Sequence, residues 1–261
     1  MIWLLYFAIA IIATTVGALT GMGGGVIIKP VLDLMGGYDV ATIGILSSVT
    51  VFAMSVSSIV RKVMQKTTFP VKLAIYLSIG SIIGGLLGQS LLDMTIVALG
   101  SSENVTILQN ILLSILILGV FIYMLKKESV PDYDLEGIIP SVLCGVLLGT
   151  ISSFVGIGGG PINVALLIFL FPVDTKDATI CSIITIFFAQ VSKLATVAVT
   201  TGFAIYDLSM LPAMVVGGVA GGLIGAALNK KVSIKTVEFW FNVVQVVVLI
   251  IAVYNIISNL I

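Results

Sequence analysis

Several windows of this sequence run about 18 residues or more without a charged side chain, the length a helix needs to cross a hydrocarbon core of roughly 30 Å. Residues 1–28, for example, contain no Asp, Glu, Lys or Arg. With 59% hydrophobic residues, 9% charged and a mean hydropathy of +1.26, the chain lies far outside soluble composition. Strand-like alternation is absent, so the spans are helices and not barrel strands. The expected class is an all-α, polytopic membrane protein. Met1-Ile2-Trp3 opens without a basic segment or a small-residue cleavage site, so the first apolar segment is expected to be mature structure. Cys144 and Cys181 fall inside apolar segments and are expected to be buried thiols, with no disulfide or metal. Histidine is absent and the net charge is +0, which argues against zinc, against most general-base catalysis and against nucleic acid as a partner.

A second feature divides the chain in two. GMGGGVIIKPVL begins at Gly21 and GIGGGPINVALL at Gly156, 135 positions apart. Ala41-Thr42-Ile43 returns as Ala178-Thr179-Ile180, and Gly80, Gly84, Gly85 and Gly88 return as Gly217, Gly221, Gly222 and Gly225, now 137 positions apart. Each half therefore holds a glycine-broken segment and three unbroken ones. The first repeat, 1–125, has a hairpin at 2–36 and helices at 40–60, 72–92 and 105–125. A linker follows at 126–136. The second repeat, 137–261, has a hairpin at 137–171 and helices at 178–201, 208–228 and 236–260. Glycines one turn apart in the third segments have the small-xxx-small spacing that lets helix backbones approach closely in lipid.

Basic residues in short loops mark the cytoplasmic side. Arg61, Lys62, Lys66 and Lys72 place the loop after the second segment inside, and Lys126 with Lys127 place the linker there too. Lys176, Lys230, Lys231 and Lys235 join them only if residues 137–171 enter and leave by the same face. Residues 161–171 as a helix span about 17 Å, too short to cross. By repetition the first hairpin does the same. Three crossings per half is an odd number, so the halves are expected to be inverted, with both termini outside and Asp93, Glu103 and Asp207 in outside loops.

Glycine clusters inside a bilayer then acquire a purpose. Backbone leaves helical geometry at membrane depth only where protein or a water-filled cavity satisfies it, so the turns are expected to line a cavity. Pro161 favours the first position of a helix, so a helix should begin at the turn with its free N–H groups directed at the cavity. Two such ends, brought together from opposite faces, form an anion site without side chains. The dinucleotide fingerprint, the phosphate loop and the Gly-x-Ser-x-Gly elbow are each incomplete here. Neither an enzyme nor a cofactor is indicated.

Among side chains, Lys29 and Lys193 fall within the membrane and are candidates by default; each can also be a snorkelling or paired structural lysine. Gln190 shares a face with Lys193. Ser48 and Thr185 are related by the repeat and can oppose hydroxyls at the site, while most serines of the second segment should bond back to the preceding turn. Asn163 can donate to an anion or cap the hairpin. Asp33, Asp39, Asp174 and Asp177 lie near segment ends and are expected to be solvated.

The paired clusters Gly21 to Gly25 and Gly156 to Gly160, each closing an apolar arm and followed by Pro30-Val31-Leu32 or Pro161-Ile162-Asn163, resemble the sulfite exporter TauE/SafE family of membrane permeases over essentially the whole chain. The resemblance implies transport of small sulfur-containing anions, such as sulfite, thiosulfate or sulfonates, across a bacterial cytoplasmic membrane. It also implies that Gly23, Gly24, Gly25, Gly158, Gly159 and Gly160 form the substrate-facing turns. Val26 stands where the second copy has Pro161, so the two ends should differ in preorganisation. A secondary transporter is the leading expectation and a passive anion channel the alternative. The coupling ion, proton or sodium, and a homo-oligomeric state are left open.

Overall fold

The computed structural model of the chain describes residues 2–130 and 133–259, and among them the regular structure is helical throughout. The first half runs α1 (Ile2–Thr20), α2 (Gly25–Met35), α3 (Val40–Met64), α4 (Val71–Leu99) and α5 (Ser102–Lys126). The second half repeats that order: α6 (Ile138–Val155), α7 (Pro161–Leu170), α8 (Thr175–Val199), α9 (Leu211–Lys231) and α10 (Ile234–Ser258). A 3-10 turn, Lys127–Ser129, opens the connection between them. Further on, the connection is stitched to α7: Tyr133 N–H donates to the Phe169 carbonyl at 3.1 Å and Leu135 N–H to the Leu170 carbonyl at 2.7 Å. Residues 131 and 132 of the expected linker lie outside the described residues.

Among the described residues, eight helices are long and apolar enough to cross a membrane by length and composition. They are the six unbroken segments together with α1 and α6, whose 19 and 18 residues reach roughly 27 Å. The first arm of each glycine-broken segment is thus as long as a crossing helix. Only α2 and α7, with 11 and 10 residues, are short.

Helix ends follow from local chemistry. The Asp39 carboxylate accepts from the Ala41 and Thr42 N–H groups and starts α3; Asp174 does the same for Lys176 and Asp177 at α8. Such caps contribute about 1 kcal/mol each, and both carboxylates remain exposed, as expected at these segment ends. α4 meets no stop signal until Gly100 closes it in the left-handed conformation. It therefore runs past residue 92, and Asp93, expected in a loop, is carried inside the helix.

The glycine ladders set the core contacts. Gly217, Gly221 and Gly225 of α9 sit in turn on Ala10, Thr14 and Ala18 of α1. Gly80, Gly84 and Gly88 of α4 sit on Val142, Val146 and Thr150 of α6. At each of them a side chain would run into a neighbouring backbone or Cβ atom, so these positions pack helix on helix as the spacing predicts. Both partners advance together, so α1 runs parallel to α9 and α4 parallel to α6. The same register links α3 to α9, through Thr50 at Gly218, Ser58 at Gly222 and Lys62 at Asn229.

Charge separates the two ends of the bundle. At one end Lys62, Lys176 and Asp177 lie within electrostatic reach of each other, Lys230 donates to the Gln65 carbonyl, and Lys127 pairs with Glu238. At the other end Asp39, Asp93 and Tyr206 line one cavity, and Tyr38 contacts Ser209. We refer to these as the basic and acidic ends.

Candidate functional site

The two glycine turns meet. A side chain at Gly23 would lie 3.2 Å from the Gly158 carbonyl, one at Gly25 would run into the Ile157 carbonyl, and one at Gly159 would meet Ile186 and come within 3.1 Å of the Met22 carbonyl. Gly23 at φ 76° and Gly159 at φ 126° hold backbone conformations that L side chains rarely adopt, so both the space and the torsion there demand glycine. Gly24 packs on Thr14, well before the last turn of α1, so α2 begins partway along its partner helix. Pro161 opens α7, as expected. Gly160, its N-cap, offers no side-chain acceptor, and neither does Gly24 at α2.

In this conformation the turns face each other and not an opening. The glycines from Gly21 to Gly25 and from Gly156 to Gly160 are buried. The expectation that the turns line a cavity is not met in this conformation, since none of these glycines is in the lining of the open cavity. The reason is physical: with no side chains to hold them apart, the two backbones close onto each other.

The opening lies alongside. A cavity of about 390 Å³ enters from the acidic end, lined by Asp39, Gly44, Gln89, Asp93, Lys193 and Tyr206 among others. Lys193 forms its floor. That side chain is 1% exposed, and its ammonium has no hydrogen-bond partner among the described residues. Gly44 makes room for it, with the ammonium 3.8 Å from where a side chain there would begin. Asp93, accepting from the Gln89 amide at 2.8 Å, and Lys29 are within electrostatic reach, but no carboxylate pairs with Lys193. One turn earlier on α8, Gln190 is fully buried and both amide atoms are unpaired. Its nitrogen lies 3.3 Å from where a side chain at Gly158 would begin. Floor and turn are therefore contiguous: Lys193, then Gln190, then the Gly156 to Gly160 turn.

An unpaired buried ammonium is costly, by several kcal/mol even after relaxation, and a buried amide with neither atom bonded adds about 1–3 kcal/mol. Ser47 and Ser48 add two buried hydroxyls without partners, Ser47 beside Gly25 at the first turn. Lys193 and Gln190, left open one turn apart on α8, suit a small oxyanion.

Other expected site residues are placed differently. Lys29 pairs with Asp33 at 2.9 Å, both side chains at most 2% exposed, with Asn110 donating to the same carboxylate at 3.4 Å. Asp33 is thus buried, not solvated, because Lys29 one turn before it on α2 needs a counter-ion. Thr185 spends its hydroxyl proton on the Cys181 carbonyl, so in this conformation it has none to donate to an anion. Asn163 is 1% exposed, does not cap α7, and leaves its carbonyl oxygen unpaired. Thr50, Ser55 and Ser57 bond back to preceding turns, as expected. Cys144 and Cys181 are free and buried. Gln89, Asp93, Asp39 and Tyr206 were not anticipated as cavity residues; the available signal was Gln89 and Asp93 one turn apart in a largely apolar helix.

Comparison with known proteins agrees with this architecture. The profile of the family described as "Sulfite exporter TauE/SafE" matches residues 6–254. A curated Bacillus subtilis (strain 168) protein described as "Probable membrane transporter protein YunE" is 24% identical over 274 residues, covering 95% of this chain and 96% of its own length. No solved structure matches the chain.

Proposed function

The chain belongs to the sulfite exporter TauE/SafE family, and on that premise we propose that this membrane transporter moves small oxyanions of the sulfite, thiosulfate or sulfonate kind by alternating access. The observation that carries the reading is Lys193: a cation without a partner, on the floor of a cavity, one turn from an unpaired amide and beside a glycine turn. The helix starts at Gly25 and Pro161 add positive dipole ends nearby. Backbone amides alone are not enough while the turns are closed, so Lys193 takes the leading role and the turns the second.

Parallel pairing of α1 with α9 and of α4 with α6 supports two inverted halves, 1–125 and 137–261, that rock against each other. The basic end would face the cytoplasm and both termini the outside of a bacterial cytoplasmic membrane. Contact between the turns beneath the cavity supports a transporter over an open pore.

Countertransport in proteoliposomes tests the reading. Vesicles loaded with thiosulfate should accelerate uptake of labelled thiosulfate from outside and saturate with concentration. Linear, unsaturable flux without trans-acceleration would instead indicate a channel.

A further inference from the structure

The repeat predicts a second cavity, and the structure shows it shut. Gly44, Leu92 and Asp93 line the open cavity at the acidic end. Their counterparts 137 positions on are Cys181, Asn229 and Lys230 at the basic end. There Lys62, 5% exposed, donates to the Asn229 carbonyl oxygen at 2.9 Å. Asn229 in turn donates to the Leu19 carbonyl at 2.7 Å, satisfying one of the carbonyls left open by the end of α1. Just beneath, Ser182 bonds the Gly21 carbonyl at 2.6 Å and Thr179 the Thr20 carbonyl at 3.3 Å. Cys181, the counterpart of a cavity-lining glycine, is fully buried.

Lys62 lies on α3, the counterpart of α8, six residues beyond the position that matches Lys193, which is Val56, and unlike Lys193 it is bonded. Among the described residues it forms no ion pair; its bonded partner is a neutral amide, with Lys176 and Asp177 within electrostatic reach. A neutral partner holds a buried ammonium less firmly than a carboxylate, because it brings no opposite charge. That suits a contact made to be broken. We propose that Lys62 and Asn229 form the gate at the basic end, and that opening it frees the Lys62 ammonium to receive the anion passed on from Lys193. The proposal rests on the reading of this protein as an alternating-access anion transporter.

Cys181 serves as a native reporter in a Cys144→Ala background. In oriented vesicles a membrane-impermeant maleimide applied from the basic end should label Cys181 slowly. Asn229→Leu, which installs the residue found at the open counterpart, leaves Lys62 without a partner and should speed labelling roughly tenfold. Lys62→Met with Asn229→Leu leaves no polar group in the gate, so labelling should return to the slow rate while thiosulfate transport stays lost. Asn229→Asp replaces the neutral partner with a charged one and should slow both labelling and transport in a normally folded protein. Unchanged Cys181 labelling in folded Asn229→Leu, or normal transport by Asn229→Asp, would overturn the gate. Labelling is read with no anion present. A gate that responds as described in a protein that thiosulfate does not stabilise would therefore contradict the anion reading and leave the gate standing.

Discussion

The two glycine hairpins share an order of a long and a short helix and differ in turn backbone, with Gly24 helical where its counterpart Gly159 holds φ 126°, and in what surrounds it. At α1–α2 the intramembrane lysine is neutralised within its own helix by Asp33 and fixed further by Asn110. Beside α6–α7 the lysine comes from another helix, α8, and among the described residues it pairs with neither a carboxylate nor a hydrogen-bond acceptor. One hairpin carries a completed charge, the other abuts an incomplete one. The two copies share a scaffold, and a few differing polar residues leave one side of it with an unpaired cation.

Four substitutions would break or sharpen that contrast. The largest effect is expected at the contact between the turns: Gly159→Leu collides with Ile186 and the Met22 carbonyl at a positive φ and should abolish transport. Transport at the normal rate would mean that the turns do not need to meet. Asp33→Asn should destabilise the protein by about 3–5 kcal/mol, since it strands a buried ammonium; chemical denaturation in detergent reads this directly. Lys193→Met should do the opposite to stability, leaving it unchanged or raised, while weakening thiosulfate binding by roughly tenfold or more. If Lys193→Met destabilised the protein as Asp33→Asn does, the two lysines would be equivalent and the contrast would fail. The smallest effect is at Val26, one residue into α2, where the second copy has Pro161 at its helix start. Val26→Pro should destabilise modestly, by about 1 kcal/mol, because Gly25 before it is helical whereas Gly160 before Pro161 is extended; a melting shift reads it.

Much of the fold was legible because membrane helices advertise themselves in long uncharged runs, and the repeat fixed their grouping. Helix ends were less so: α4 passes Asp93 because one charged residue does not stop a helix that a later glycine, Gly100, will close. The site was legible in Lys193, Gln190 and the glycines, where polar or flexible residues interrupt apolar segments. What the sequence hid was pairing. Nothing in the spacing alone says that Asp33 is drawn inward to Lys29, that Thr185 bonds back to Cys181, or that Asn229 reaches both Lys62 and α1. Those outcomes depend on which helices become neighbours. Closure of the two turns onto each other was hidden for the same reason, because glycine permits both an open cleft and a tight contact.

The central claim is that the anion is held at Lys193, and a density map of the protein saturated with an anion of high scattering power, such as selenate or thiosulfate, tests it most directly. The account predicts density within about 3 Å of the Lys193 ammonium, in reach of the Gln190 amide. An anion bound elsewhere, with Lys193 still unpartnered, would contradict it.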